Sequence, residues 1–416
     1  MKFIFKLVLI SFSLIFYSSV NAETIKWLHI QGDSSPEFPN YLRAAEDFEA
    51  KTGHTVELQY LENEAFKAKL PTMLQSDDRP HIIQSWGGGV MLAQYEAGLL
   101  RDITDLVPQS YLDNVSAAAS DAFVVKGTRI GFPRNVSQVT WWYNKDLINE
   151  AGVDVSKIVM WDDLLAAVKQ IKEAGITPIC LGGKDKWPVH FIWTHLHIRN
   201  GGKALFLESF ENGGWDRPEY IKSGEQMLQL VELDPFQDGW LSATWPDQAG
   251  FFGDGKCAMA FMGNWMLGAQ KANSASGEGL GIENMGIFSM PMTNGALGES
   301  TDTLGGISGW LVTKTAPDAA VEFLMHMVSS EYQNDDASKG AYIPVVLGAD
   351  KLLTNPILSN VASNIGASQY HQLFYDQFLG PDIGRVVNDV STDLAAGIIT
   401  PEEAAQLVQE SWEFNQ

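Results

Sequence analysis

From Ile25 onward the chain alternates short, continuously apolar runs with stretches of helical period, and this order leaves few folds open. Ile25–Ile30 reads as a strand. Pro39–Lys51 reads as a helix with Leu42, Ala45 and Phe48 on one face, closed by Gly53. Thr55–Leu61 alternates as a strand, Ala65–Leu74 is helical, and His81–Trp86 is an apolar strand. A short helix through Leu92, Tyr95 and Ala97 then ends at Gly98. Strands that are apolar on every residue must be covered on both faces, and a βαβαβ order supplies that cover through a parallel sheet with helices on each side.

The pattern then restarts. Helices are expected at Asp162–Ala174, Glu219–Leu233, Asp318–Ser330 and Asp382–Ala396, and strands at Ile176–Leu181, Cys257–Met262 and Met285–Met290. The last helix opens on Thr400-Pro401-Glu402-Glu403, a capping box with Pro in its first turn. Between the halves, Gly131–Val139 has the composition of an extended connector, and Met292–Thr303 is a second such stretch. Two or more crossings between lobes would let them close about a hinge.

The first 22 residues have the form of an export signal. Lys2 and Lys6 precede the apolar run Leu7–Val20, and Val20-Asn21-Ala22 offers small residues for cleavage after Ala22. No Cys stands near that point for a lipid anchor, so the expected location is the periplasm. Removing the segment leaves 394 of 416 residues, enough for two domains. It also leaves 26 basic against 51 acidic residues, a formal charge of −25. Such a surface repels nucleic acid and anionic lipid.

Cys180 and Cys257 are the only cysteines and both lie in apolar runs. Two small core residues are the favoured reading and a disulfide, which an exported protein permits, is the alternative. His190, His195 and His197 lack the spacing and companions of a zinc site, so they read as the polar face of a helix, and no metal or cofactor is expected.

At this level the chain resembles the sugar-binding proteins of bacterial ABC importers, the maltose-binding-protein-like group. The resemblance rests on the order of many blocks. They are Trp27–Asp33, Phe48–Gly53, Pro80–Trp86, Ala97–Leu100, Trp142–Leu147, Trp161–Leu165, Gly175–Ile179, Gly255–Trp265, Asp318–Leu324 and Ile343-Pro344. It implies a two-lobed α/β fold of the type II periplasmic binding class, each lobe a parallel-sheet domain, with crossings near Val136–Thr140, Thr301–Leu304 and Pro344–Val346. The segments would be 23–136 and 304–344 in the N-terminal lobe, and 137–303 and 345–416 in the C-terminal lobe. It also implies a monomer that delivers a carbohydrate to membrane permease subunits, without catalysis.

A sugar site needs flat aromatic faces beside side chains that bond hydroxyl pairs. Ligands of open α/β sheets bind beyond the carboxyl ends of strands. Trp86 ends a strand before Gly87-Gly88-Gly89, where backbone could approach a ligand; its bland reading is a core filler. Trp265 ends another strand, shares its loop with Asn264, and occupies a position where the family stacks sugar. Asp33 aligns with a hydroxyl-binding acid of maltose binders, although an acidic turn residue would look the same. Gln84, Trp187, Trp245 and Asp247 are weaker candidates. Arg134 and Asn135 sit in the hinge, where a structural ion pair competes with a ligand contact. Tyr342 is a candidate on the return segment; Trp310, inside Ile307–Thr313, reads as core. A binding protein for a non-sugar solute and a secreted carbohydrate-active enzyme are the competing readings.

Overall fold

The computed structural model describes residues 22–416; the expected export signal, apart from Ala22, lies outside the described residues. Among the described residues no helix is long and apolar enough to cross a membrane. Three strands, β1 (Thr24–His29), β2 (Thr55–Tyr60) and β3 (Ile82–Ser85), pair in parallel with β1 in the middle. Helices Phe38–Thr52 and Asn63–Gln75 supply the crossovers. The first begins with Pro39 in its opening turn and ends at Gly53, whose φ of +77° only glycine adopts without strain. Its buried face is Tyr41, Ala44, Ala45 and Phe48, while Leu42 is exposed. The stripe is therefore turned from the one expected, because Tyr41 packs on Trp27 with ring centroids 4.6 Å apart.

Two long strands carry the chain between lobes. Gly131–Asn144 runs out and Thr303–Val312 returns, antiparallel to each other from Gly131↔Leu311 to Val139↔Leu304. The sheet is thus mixed: parallel in β1–β3, antiparallel where the chain leaves and comes back. Each crossing strand changes neighbours along its length. Thr303–Val312 pairs with β3 at one end and with His371–Leu373 at the other. Gly131–Asn144 meets Ile343-Pro344 near Val136, then Met259–Gly263 and Met285–Phe288 beyond Val139. The connector expected at Gly131–Val139 is therefore regular strand, since every residue there finds a ladder partner or sits at the bulge between Pro133 and Asn135. Ile176–Leu181, expected as a strand, makes only isolated bridges at Ile179.

Separate apolar cores lie on the two sides of this hinge. Trp27, Tyr41, Phe323 and Trp310 centre one layer of the first lobe, with Trp27 edge-on to Trp310 at 5.0 Å; Leu28, Phe66, Leu70 and Leu311 form its other layer. The second core gathers Trp141, Trp142, Trp193, Met259, Tyr375 and Leu394. Val345, Val346 and Ala349 pack beside Val115 and Ala119, whereas Leu358 and Val361 pack with Leu267 and Ile287. Ile343 joins that second cluster, so the chain from Ile343 to Val361 packs against both groups in turn.

Two further expectations are corrected. Cys180 and Cys257 form a disulfide with Cα atoms 5.6 Å apart. Their segments run side by side, with Cys180 N–H donating to the Met259 carbonyl at 2.9 Å, so two cysteines buried in adjacent extended chain face each other. His190, His195 and His197 do not form a polar helix face. They are buried in helix Trp187–Asn212, and burial depresses their pKa values, to about 4 for His190 and about 3 for His197. The part up to the break at Gly202 crosses the second core, so all its sides meet protein and neutral imidazoles pack there as aromatics.

Candidate functional site

Four of the candidate tryptophans converge where the lobes meet. Trp86 leaves the carboxyl end of β3 and stands edge-on to Phe66 at 5.9 Å, half-buried between the first and second cores. Trp187 opens its helix because Pro188 suits a first turn, and Trp245 opens Trp245–Gly253 for the same reason with Pro246. Trp265 follows strand Met259–Gly263, and its ring lies over Gly263, where a side chain would collide with it. Trp187 is 5.6 Å from Trp245 and 6.3 Å from Trp265 between ring centroids. Phe191 and Phe374 continue the wall, 5.2 Å apart, with Phe374 at 5.9 Å from Trp265.

The wall belongs to the second lobe and Trp86 to the first. Lys67 bridges them: its ammonium lies 5.7 Å from the Trp86 ring centre and 5.5 Å from that of Trp187. A cation over an indole face is held by the ring quadrupole. Lys67 also pairs with Glu64 at 3.1 Å, one turn back on the same helix. Asp185, two residues before Trp187, accepts the Trp245 N–H at 2.7 Å; partial burial raises its pKa, opposed by that hydrogen bond and by Lys67. Indole faces, an ammonium and a carboxylate thus lie in one neighbourhood, combining stacking surface with hydrogen-bond donors and acceptors.

The other candidates divide. Asn264 is buried, and its Oδ1 accepts the Gln138 N–H at 3.0 Å, so it anchors the Trp265 loop to the outgoing strand. Gln84 is buried on β3 opposite Trp310. Asp33 stands exposed on the loop after β1, near enough to Tyr60 for its charge to reinforce the burial that raises that phenol's pKa. Asp247 is exposed and closes a capping box: it accepts from Thr244 N–H at 2.8 Å and from the Thr244 hydroxyl at 2.7 Å. Arg134 is buried, 2.6 Å from Glu37 and 4.0 Å from Asp336, with its guanidinium 4.0 Å from the Tyr342 ring centre. Arg134 and Tyr342 are thus engaged in a buried ionic cluster inside the first lobe. Asn135, half-buried beside them, pairs with Ser308 and Pro344.

Lys67, Asp185, Phe191 and Phe374 were not legible as site residues. Lys67 follows the core residue Phe66 on a helix and looks like any solvated lysine. Phe374 lies in a region whose register the blocks of resemblance do not reach. Asp185, after Gly182-Gly183 and two residues before a candidate tryptophan, carried the one usable signal.

Two α/β lobes on crossing strands, with an aromatic cleft where they meet, define the architecture of a two-lobed binding protein. A family model described as bacterial extracellular solute-binding protein matches residues 32–334, and the chain belongs to that family. An uncharacterized ABC transporter extracellular-binding protein of Pyrococcus horikoshii is 27% identical over 64% of this chain and 58% of its own length. An sn-glycerol-3-phosphate-binding periplasmic protein of Brucella melitensis is 26% identical over 68% of this chain and 64% of its own. The chain spans about half to two thirds of the curated relatives it matches. A solved chitin oligosaccharide binding protein shares the fold, with a TM-score of 0.84 and 21% identity over 94% of this chain and 98% of the other.

Proposed function

We propose that this protein is the solute-capturing component of an ABC sugar importer, holding a mono- or oligosaccharide between its lobes in the periplasm and presenting it to membrane permease subunits. The observation that carries the reading is the meeting of Trp86, from one lobe, with Trp187, Trp245 and Trp265 from the other, around Lys67 and Asp185. Indole faces take the C–H faces of a pyranose, and the charged pair bonds its hydroxyls. Within this reading Trp86, Trp187, Trp245 and Trp265 touch the ligand, with Lys67 and Asp185 as polar partners. Gln84, Asn135 and Asn264 back the cleft, and Asp33 lies at its rim. Arg134, Tyr342 and Asp247 hold the fold in place.

A solute touching both lobes favours their closed arrangement, and that difference in affinity is what shifts the population. The permease then distinguishes loaded from empty protein by shape. The protein acts as a monomer, its net negative charge keeps it off nucleic acid, and it does not turn its solute over. Calorimetric titration with mono- and oligosaccharides, and with sn-glycerol 3-phosphate as a non-sugar control, tests the reading. Tight binding of a saccharide, unaltered after long incubation, supports it. Binding of the phosphate alone, or the release of shortened sugars in proportion to protein, overturns it.

A further inference from the structure

The run Gly87-Gly88-Gly89 after Trp86 reads in sequence as a place for backbone to approach a ligand, but its close neighbour is the other lobe. A Cβ on Gly88 would lie 2.7 Å from the Gln377 carbonyl oxygen and 2.9 Å from the Phe378 Cα. On Gly89 it would lie 2.6 Å from the Gly380 nitrogen and 2.7 Å from the Phe378 carbonyl oxygen. Real Cβ atoms essentially never come within 3.0 Å of such atoms. Helix Gly88–Glu96 buries Met91 in the first lobe, whereas Tyr375, Leu379 and Ile383 around the opposing turn belong to the second core. The contact is therefore between lobes, and it is backbone against backbone. A crowded side chain can swing away, but here main chain would have to move, and the lobes with it.

The second close approach between lobes that involves a glycine is of the softer kind. A Cβ on Gly268 would meet the ring of Pro36 at 2.8 Å, a side-chain contact.

We propose that Gly88 and Gly89 set how far the two lobes close: lacking side chains, they let the helix start seat on the Gln377–Gly380 turn and so tune solute affinity without touching solute. The proposal rests on the reading of the cleft as one that closes on a ligand. Gly89 gives the cleaner perturbation, because its φ lies outside the positive range while that of Gly88 is +68°. Alanine in the first turn of a helix is intrinsically acceptable, so Gly89→Ala costs nothing in an open molecule. The methyl group obstructs only when the lobes meet.

The test places one spin label on each lobe, through Asp77→Cys and Lys203→Cys, and measures interlobe distances by pulsed electron resonance. The protein is examined alone and with maltotriose, xylotriose or chitotriose, whichever binds most tightly. Gly89→Ala is expected to move the distribution to longer separations and to weaken sugar binding at least tenfold, chiefly by faster release, at an unchanged unfolding temperature. Gly366→Ala, where an added methyl meets nothing within 4 Å, is the control and should match the parent. A Gly89→Ala distribution that superposes on the parent overturns the proposal. So does loss of folding in Gly89→Ala, whose backbone the open form should tolerate. If no sugar binds the parent, the transport reading fails; if sugar binds the parent and shortens its distances while Gly89→Ala follows it unchanged, the role of the glycines alone fails.

Discussion

Breaking the Cys180–Cys257 bridge tests whether the second lobe depends on a cross-link between its site-bearing segments. Chain leaving Cys180 leads through Gly182-Gly183 to Asp185 and Trp187, and chain leaving Cys257 leads through Met259–Gly263 to Asn264 and Trp265. The bridge pins both at their roots. The residues are 77 apart in sequence, so in the unfolded chain it closes a long loop. The chain-entropy relation for such a loop gives about 4.5 kcal/mol of stabilisation at 25 °C. Native strain subtracts little, because the ladder around Ile179 and Met259 already holds the two segments side by side.

Oxidised and reduced forms of the unaltered protein should be compared in urea, which leaves the side-chain volume of the core unchanged. With a dependence of about 3 kcal/mol per molar, the reduced second lobe should unfold at a midpoint lower by roughly 1.5 M. Near-ultraviolet dichroism reads the buried Trp141, Trp142 and Trp193 of that lobe together with Trp27 and Trp310 of the first. Without denaturant, reductant should act only slowly, since both cysteines are fully buried. Coincident midpoints for the two forms, with the bridge confirmed by mass, would refute the argument, because the unfolded chain would then already hold the segments together.

Trp86→Ala and Trp265→Ala should each weaken the best sugar by about thirtyfold, or roughly 2 kcal/mol, with the fold intact; calorimetry beside circular dichroism reads both. Arg134→Met leaves the buried carboxylate of Asp336 and the partly buried one of Glu37 without their cation and should cost about 3 kcal/mol in urea unfolding. The pH dependence has a definite sign. Burial pushes the Asp336 carboxyl up to about 6, opposed by Arg134, so between pH about 4 and 6 the folded chain keeps a proton that the unfolded chain releases. Stability should therefore fall across that window as pH rises, by roughly 2 kcal/mol from this group. Asp336→Asn should flatten that part of the profile, and an unchanged slope would remove Asp336 as its source.

The elements of this protein are local, and sequence was sufficient for most of them. Helix Phe38–Thr52 is announced by Pro39 and Gly53, and helix Pro401–Phe414 by the Thr400-Glu403 box. Strand β3 is covered on both faces and buried at every residue, whereas β2 shows by alternation, with Val56 buried between the exposed Thr55 and Glu57. Asp247 was nominated only as a weaker ligand contact, although Thr244-Trp245-Pro246-Asp247 spells a capping box whose hydrogen bonds span only three residues. Trp86 and Trp265 could be nominated from their places at strand ends, and Trp187 and Trp245 more weakly from the family resemblance. What periodicity cannot supply is the partner. It tells which face of an element is buried, never what lies against that face. Arg134 meets Glu37 and Asp336, distant from it in the chain on either side; Cys180 meets Cys257; Lys67 meets Trp187 of the opposite lobe. Gly88 and Gly89 meet a turn nearly three hundred residues on. Such pairings depend on how the crossing strands set one lobe against the other, and that angle is fixed by packing summed over the whole hinge, to which no short stretch of sequence is sensitive.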